Sequence, residues 1–248
     1  MTCAILSDIH GNREALEAVL AAISSSSVQA VWCLGDLVGY NPDPDFCTCE
    51  ILPLAAAVIR GNHDKAVAGL LSLEWFNPVA KEAVLWTRRV LPPDTLGRLA
   101  RLPEGPAQPG RGILLCHGTP MDEDRYMVER GAIAETFRWM RGSPGSRICF
   151  HGHTHLPFAC SLRKGGGGPE ALPTEGEIGL EPDRMYLINP GSVGQPRDGI
   201  PLASFGILDA DRSTYTTIRV AYDVEKTRLK ILEAGLPREL AWRLAEGT

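Results

Sequence analysis

The chain has 248 residues, of which 44% are hydrophobic and 22% are charged, and its formal net charge is −5. This length and apolar content can supply a full hydrophobic core, so we expect a single domain over residues 1–248. The acidic net charge argues against nucleic acid or an anionic membrane as a partner attracted by the whole protein's field.

The sequence shows neither a membrane span nor an export signal. No apolar run reaches the roughly 20 residues that cross a bilayer, and the N-terminus lacks the charged and apolar regions of a signal peptide. The seven cysteines, an odd number, lie mostly within apolar runs, where cysteine behaves as a small hydrophobic residue. We therefore expect a cytoplasmic protein with reduced thiols, and a homo-oligomer stays open.

Five short apolar segments each end at a small polar cluster: CAILSDIHGN, AVWCLGDLVG, AAAVIRGNHD, GILLCHG and RICFHGHTH. Helical patterns, such as those at 13–23 and 45–55, separate the first three segments. Strands that alternate with helices predict βαβ units and a largely parallel sheet. Because ligands bind beyond the carboxyl ends of such strands, we expect the polar clusters to meet at one edge.

The other segments contain few candidate functional residues. Residues 66–105 show a proline-punctuated helical pattern that we expect to cover the sheet, with no chemical role. Residues 161–184 contain four consecutive glycines and three prolines, which predicts a flexible loop between two antiparallel strands. Residues 203–209 and 214–222 predict a strand pair, and the tail at 223–248 predicts two short helices.

The polar clusters concentrate metal-ligating side chains, and all six histidines of the chain lie in them. Seven residues offer an oxygen or nitrogen ligand: Asp8, His10, Asp36, Asn62, His117, His153 and His155. This number exceeds one tetrahedral site and suits two divalent ions, with Asp36 as the candidate bridge. Two dications would keep the site positive, which favours a phosphate ester as substrate.

Some of these residues also have ordinary structural interpretations. Asn12 is well placed to cap the helical pattern at 13–23, and it is also a candidate contact to substrate. A lone strand-end histidine such as His117 is more often structural than a ligand. Gly152 is expected to turn the chain, so that His153 and His155 reach different ions.

In their order, the five clusters resemble the signature of the calcineurin-like metallophosphoesterases, which is D-x-H, GD, GNH-[DE], H and GHTH. The resemblance covers residues 3–209 and implies an α/β fold, a four-layer αββα sandwich of two mixed sheets flanked by helices. It implies a first metal held by Asp8, His10, Asp36 and His155, and a second held by Asp36, Asn62, His117 and His153. His151 lies outside the signature, so we expect it to pack rather than to bind metal.

The resemblance also implies a reaction: a bridging hydroxide hydrolyses a phosphodiester, or an activated phosphomonoester. His63 would be the general acid, with Asp64 or another carboxylate orienting it. Manganese is the expected metal, with iron, zinc, nickel, cobalt or magnesium as alternatives. The segment NPGSVGQPRDG is similar to small prokaryotic members labelled as phosphodiesterases.

One departure from the family affects the substrate. Protein serine/threonine phosphatases and dinucleoside-tetraphosphatases carry a phosphate-binding arginine shortly after GD, but residues 37–45 contain none. This absence argues against both activities, which are kept as the alternatives, followed by a non-catalytic scaffold and a nuclease. Arg197 is the best substitute for binding substrate, ahead of Arg60 and Arg125.

Overall fold

The computed structural model describes residues 1–143 and 145–248. The strands are β1 (Thr2–Leu6), β2 (Ala30–Cys33), β3 (Ala57–Val58), β4 (Ala107–Gly110), β5 (Ile113–Leu115), β6 (Ile148–Phe150), β7 (Pro157–Arg163), β8 (Glu170–Ala171), β9 (Gly176–Gly179), β10 (Arg184–Pro190), β11 (Ala203–Asp209) and β12 (Thr214–Val220). The helices are α1 (Arg13–Ser24), α2 (Pro44–Leu54), α3 (Asn62–Val67), α4 (Pro78–Val90), α5 (Pro93–Ala100), α6 (Arg130–Gly142), α7 (Val224–Glu233) and α8 (Arg238–Glu246).

The strands form two six-stranded mixed sheets. Sheet A has the order β3-β2-β1-β11-β12-β9, and sheet B has the order β4-β5-β6-β10-β7-β8. Each contains one parallel trio, β3-β2-β1 or β5-β6-β10, and is completed by antiparallel strands. The predicted sandwich of two mixed sheets is confirmed, whereas the expectation of a largely parallel sheet holds only for the two trios.

The alternation of side chains along the strands produces the layers. In β1, Cys3 and Ile5 join the core between the two sheets, while Ala4 and Leu6 join the core beneath the helices that cover sheet A. Successive strand residues point to opposite faces, so a strand buried on both faces is apolar throughout. A third cluster packs α6 against the outer face of sheet B, completing the helix–sheet–sheet–helix order.

Local sequence explains where the helices begin. The Asn12 side chain accepts the backbone N–H of Ala15 at the start of α1, and Asn77 does the same for Ala80 at the start of α4. Prolines occupy the first helical position of α2, α4 and α5, where a missing N–H costs no hydrogen bond. The Asp223 side chain caps α7.

The segment 161–184 differs from its prediction. Its flanking strands, β7 and β10, pair antiparallel as expected. The segment between them is not a continuous loop, because β8 adds an edge strand to sheet B and β9 adds one to sheet A. In the tail, the two predicted helices form as α7 and α8, with Gly235–Leu236–Pro237 between them, and both pack against α4 and Tyr40.

Two general expectations can be compared with the structure. Six of the seven cysteines are buried, and the expectation of reduced thiols stays a prediction. Across residues 1–143 and 145–248, the helices fall short of the length and hydropathy needed to cross a membrane.

Candidate metal centre

The carboxyl ends of the two parallel trios meet at one edge of the sandwich, as the strand pattern predicted. β1 leads into Asp8 and His10, β2 leads into Asp36, and the other ligand candidates follow β3, β5 and β6. The two sheets are joined at this edge, since the backbone N–H of His153 donates to the Asp8 carboxylate at 3.2 Å. All six predicted His and Asp ligands are buried.

The structure brings the predicted ligands together as two groups that share one residue. Asp8, His10, Asp36 and His155 form one group, and Asp36, His117 and His153 form the other. Within each group the candidate ligand atoms lie within 4.8 Å of one another. Asn62 joins the second group, because its Oδ1 lies 3.1 Å from Nε2 of His117.

Each histidine of these groups has one ring nitrogen tied to a backbone carbonyl. Nδ1 of His10 donates to Val38 O, Nδ1 of His117 to Leu34 O, Nδ1 of His155 to Gln195 O, and Nε2 of His153 to Asp124 O, at 2.6–3.0 Å. A carbonyl only accepts, so the bound nitrogen carries the proton. In the neutral ring the other nitrogen then offers a lone pair, which is how proteins orient metal-binding histidines.

Two of these lone pairs face each other. Nε2 of His10 lies 3.1 Å from Nε2 of His155. Burial lowers the pKa of both rings well below the usual value, so both are neutral at neutral pH. Two facing acceptors repel unless a cation lies between them, which makes this donor set fit a metal ion.

Asp36 lies at the junction of the two groups. Its Oδ1 accepts the backbone N–H of His63 at 2.8 Å. Its Oδ2 is buried and accepts no hydrogen bond from the part of the chain that the structure describes. Nε2 of His10 lies 3.5 Å from this oxygen and Nε2 of His117 lies 3.4 Å from it, so Oδ2 faces both groups.

The charges of Asp36 and its neighbouring histidines favour a cation at this junction. Burial alone would raise the pKa of Asp36, but neighbouring histidines, His117 first, hold that pKa well below its usual value. Burial also lowers the pKa of His117, yet the negative charge of Asp36 outweighs it and raises the pKa to about 10, so without a metal this ring carries a second proton where an ion would bind. The carboxylate therefore stays ionised and attracts positive charge into a buried site.

The backbone at the ligands is strained. Asp8, His10, Asp36, His153 and His155 all have left-handed φ values between 50° and 66°. Non-glycine residues adopt this region at a cost, and such residues cluster at functional sites. The left-handed turns end the strands abruptly and direct the five side chains toward the two ligand groups.

Gly152 has a different role from the one predicted. It is not among the residues with a left-handed backbone, and the turn is made by His153 and His155 instead. A Cβ at position 152 would lie 2.0 Å from Oγ of Ser7 and 3.0 Å from Oδ2 of Asp8. Glycine is needed there because the two sheet ends approach closely.

His63 and Asp64, the predicted catalytic pair, have different partners in the structure. His63 lies beside His10, with ring centroids 4.8 Å apart, and burial lowers its pKa to about 4 against the opposing effect of Asp36. The expectation that Asp64 orients His63 is wrong. The Asp64 carboxylate accepts backbone N–H groups at 2.8–3.3 Å from four residues: Asp36, Leu37, Val38 and Gly61. Asp64 therefore holds the backbone of two ligand loops together.

Asn12 is also placed differently from the prediction that it contacts substrate. It is buried, its Oδ1 accepts from Ala15 N and Thr227 Oγ1, and its Nδ2 donates to Gly194 O. These internal hydrogen bonds occupy both ends of the amide. The helix-capping role therefore replaces the predicted contact with substrate.

The three candidate arginines have distinct surroundings. Arg197 is half-buried at the site, where its Nη2 donates to the Tyr40 hydroxyl at 3.3 Å. Its charge contributes to the lowered pKa values of His10 and His155. Arg60 is paired with Glu104 and Glu123, and Arg125 with Glu135, so both already have carboxylate partners.

His151 stands apart from both ligand groups, in agreement with the expectation that it packs. It is buried, its Nδ1 lies 3.3 Å from Nδ2 of Asn189, and its ring lies 6.0 Å from that of Phe158. Only two histidines of HGHTH therefore belong to the groups.

The sequence analysis did not predict the cavity beside the ligand groups. An open cavity of about 250 Å³ adjoins Asn62, His63 and His153, and we call it the aromatic cleft. Its other lining residues are Tyr40, Leu71, Ser72, Trp75, Phe76, Asn77, Ala80, Asp124 and Tyr126. Residues 71–77 belong to the stretch that we expected only to cover the sheet. Tyr40, which lies four residues after Asp36 in the segment GDLVGY, was the one signal available in the motifs.

Known proteins resemble this chain in sequence and in fold. The model of the calcineurin-like phosphoesterase superfamily domain matches residues 1–213. The uncharacterized protein MJ0912 of Methanocaldococcus jannaschii is 38% identical over 248 residues, which cover 98% of this chain and 97% of that protein.

Two solved structures have a similar fold. The metallophosphoesterase from Sphaerobacter thermophilus superposes with a TM-score of 0.84 at 37% identity, covering 100% of this chain and 99% of that one. The hypothetical protein PH1004 from Pyrococcus horikoshii OT3 has a TM-score of 0.78 at 21% identity, covering 100% and 98%. The second likeness shows the fold alone.

Proposed function

The chain belongs to the calcineurin-like phosphoesterase superfamily and is a metallophosphoesterase, and we propose that it hydrolyses phosphodiesters with two divalent ions. Activated phosphomonoesters are the second substrate class of the same site. Asp8, His10, Asp36 and His155 would hold one ion, and Asp36, Asn62, His117 and His153 would hold the other. When bound, the ions supply a hydroxide nucleophile near neutral pH and neutralise phosphoryl oxygens.

One observation carries the proposal. Oδ2 of Asp36 is buried, accepts no hydrogen bond from the described residues, and lies within 3.5 Å of a nitrogen from each ligand group. A single mononuclear site would leave one of the two groups, with its oriented histidines, without a cation. The mixed carboxylate, amide and imidazole donors suit manganese, iron, zinc, cobalt or nickel.

The residues of the chain would orient the substrate and move a proton. The ring of His63 lines the aromatic cleft, so the leaving group of a bound ester would occupy that cleft. His63 would donate the proton that the departing oxygen takes up, and the negative charge of bound phosphate favours its protonated form. The Arg197 guanidinium, held beside the Tyr40 ring, would bind a phosphoryl oxygen in place of the missing arginine.

A purified sample tests the proposal directly. The protein is stripped with a chelator, dialysed and titrated with Mn²⁺, while bound metal is counted by mass spectrometry and hydrolysis of bis-p-nitrophenyl phosphate is followed by absorbance. We expect two equivalents of metal and activity that appears with them. Full activity in the stripped protein, or binding of one equivalent at saturation, would refute the two-metal proposal.

A further inference from the structure

The aromatic cleft has an unusual composition. Four of its twelve lining residues are aromatic, namely Tyr40, Trp75, Phe76 and Tyr126, in a chain that is 6% aromatic. Small-molecule sites are typically lined by aromatic side chains with a few polar groups. At about 250 Å³ the cleft is smaller than the range of about 300–1,000 Å³ that holds drug-sized ligands. It therefore suits one ring system.

Trp75 is presented to solvent by an anchored loop. Its side chain is 90% exposed, which is rare for so large an apolar residue. The loop around it is held, because Phe76 lies edge-on to His63 at 5.2 Å and Leu73 packs against the core under sheet A. The held loop therefore presents the indole at the cleft rim, where it offers a face for stacking.

Tyr126 offers a second aromatic face in the lining of the same cleft. Its ring stacks on His153 with centroids 4.0 Å apart and an interplanar angle of 16°, and it is 48% exposed. Its loop is fixed by ion pairs of Lys65 with Glu123 at 2.6 Å and with Asp124 at 2.7 Å. His153 therefore covers one face of the Tyr126 ring, which leaves the opposite face for a bound ring system.

The charge of the lining limits what the cleft can bind. Among the described residues that line it, none is lysine or arginine, and Asp124 adds an acidic group. A leaving group with further phosphates would bring several negative charges, whereas of two cations beside the lining, Arg197 is assigned to the reacting phosphoryl group and Lys65 is already paired with Asp124. The cleft therefore fits a neutral group.

We propose that the aromatic cleft binds the base of a nucleoside, and that this nucleoside is the leaving alcohol of the phosphodiester. The inference rests on the proposed function, because the position of His63 places the leaving group in the cleft. Water adds to phosphorus, the bond from phosphorus to the nucleoside oxygen breaks, and that oxygen takes a proton from His63. The products are the free nucleoside and a phosphomonoester of the other alcohol.

Matched substrates test this assignment. The metal-loaded enzyme is assayed with methyl phosphodiesters of three alcohols: adenosine at its 5′ oxygen, 1-deoxyribose at its 5′ oxygen, and 2-phenylethanol. The first two have the same alcohol with and without a base, and the third has an aromatic ring without a sugar. We expect kcat/KM for the adenosine ester to exceed that for the baseless ester about 5- to 100-fold, the range that stacking on aromatic residues supplies.

Two tryptophan variants assign the effect to the cleft. Trp75→Ala is expected to lose the preference for the adenosine ester, so that its kcat/KM for this ester falls to the value for the baseless ester. Trp242→Ala is the control, because Trp242 is 57% exposed on α8 and lies outside the cleft lining. This variant is expected to keep the preference of the wild type.

The outcomes separate the two proposals. Equal kcat/KM for the adenosine and baseless esters, or release of methanol instead of adenosine, would overturn the nucleoside inference and leave the phosphodiesterase proposal standing. Faster hydrolysis of the 2-phenylethyl ester than of the adenosine ester would overturn the inference and assign the cleft to simple aryl groups. Faster hydrolysis of diadenosine tetraphosphate than of the adenosine ester would overturn the inference that the cleft prefers a neutral leaving group. No metal-dependent hydrolysis of these esters or of bis-p-nitrophenyl phosphate would overturn both proposals.

Discussion

The ligand groups and the aromatic cleft are neighbours with opposite construction. At the ligand groups, Asp36 is 1% exposed, five ligands have a left-handed backbone, and four histidines are bound to backbone carbonyls. In the cleft, Trp75 is 90% exposed and stands on a loop. A rigid, buried set of donors can hold metal geometry within narrow limits, whereas loops can change their residues without disturbing it. We infer that the first region determines the reaction and the second the substrate.

Replacing the bridging candidate should give the largest effect. Asp36→Asn removes the negative charge that faces both ligand groups, so we expect metal affinity and activity to fall together by more than about 100-fold, since even outer partners of ligands cost about 10–100-fold. Metal content by mass spectrometry and turnover of bis-p-nitrophenyl phosphate measure the two losses. A variant that kept two equivalents of metal would exclude Asp36 as the bridge.

The general-acid role of His63 should give the next largest effect. His63→Gln should retain metal and lose about 10²–10⁴-fold in kcat on esters of poor leaving groups, because those oxygens need a proton as they depart. Esters of p-nitrophenol should be affected far less. Steady-state kinetics on alkyl and aryl esters of the same phosphate make the comparison, and equal losses on both would remove His63 from this role.

Gly39 should show how tightly the buried region restricts His63. The φ of Gly39 is +94°, and a Cβ there would lie 2.5 Å from Nδ1 of His63. We expect Gly39→Ala to displace the ring and lower kcat about 10- to 100-fold with metal content unchanged, since a shift of about 1 Å can cost that much.

A matched glycine substitution serves as the control for this prediction. Gly131 lies in α6 with no atom of the described residues within 4 Å of an added Cβ. Gly131→Ala should leave kcat as in wild type. Unchanged kcat in both variants would show that the His63 ring has room to move without affecting turnover.

The smallest effect concerns the contact between the two regions. Tyr40→Phe removes only the hydroxyl that accepts from Arg197. A net hydrogen bond is worth about 0.5–1.5 kcal/mol, so we expect KM to rise about 2- to 10-fold with little change in kcat. Initial rates over a range of substrate concentration separate the two constants, and a fall in kcat alone would assign Tyr40 to the reaction step instead.

The ligand groups were predictable because their members stand at strand ends. Asp8, His10 and Asp36 follow apolar runs directly, and parallel strands bring such ends to one edge whatever the details of the loops. The resemblance to a family supplied the second sheet and the division of ligands between two ions. Periodicity alone suggested a largely parallel sheet, because short antiparallel strands such as β8 and β9 have little pattern.

The errors have a common physical origin, because they concern contacts between residues that are far apart in the sequence. Asp64 looked like a partner for its neighbour His63, but its carboxylate accepts N–H groups from a loop nearly thirty residues earlier in the chain. Trp75 and Tyr126 line the same cleft although they are far apart in sequence. Large apolar residues in a helical stretch usually belong to the core, so the sequence offered no sign that Trp75 would face solvent.

The central claim is that one oxygen of Asp36 lies between two cations. Anomalous diffraction from crystals of the Mn²⁺-loaded protein tests it most directly. We predict two peaks about 3.5–4 Å apart, one near His10 and His155, the other near His117 and His153, with the Asp36 carboxylate bound to both. A single peak, or two peaks of which only one contacts Asp36, would contradict the account.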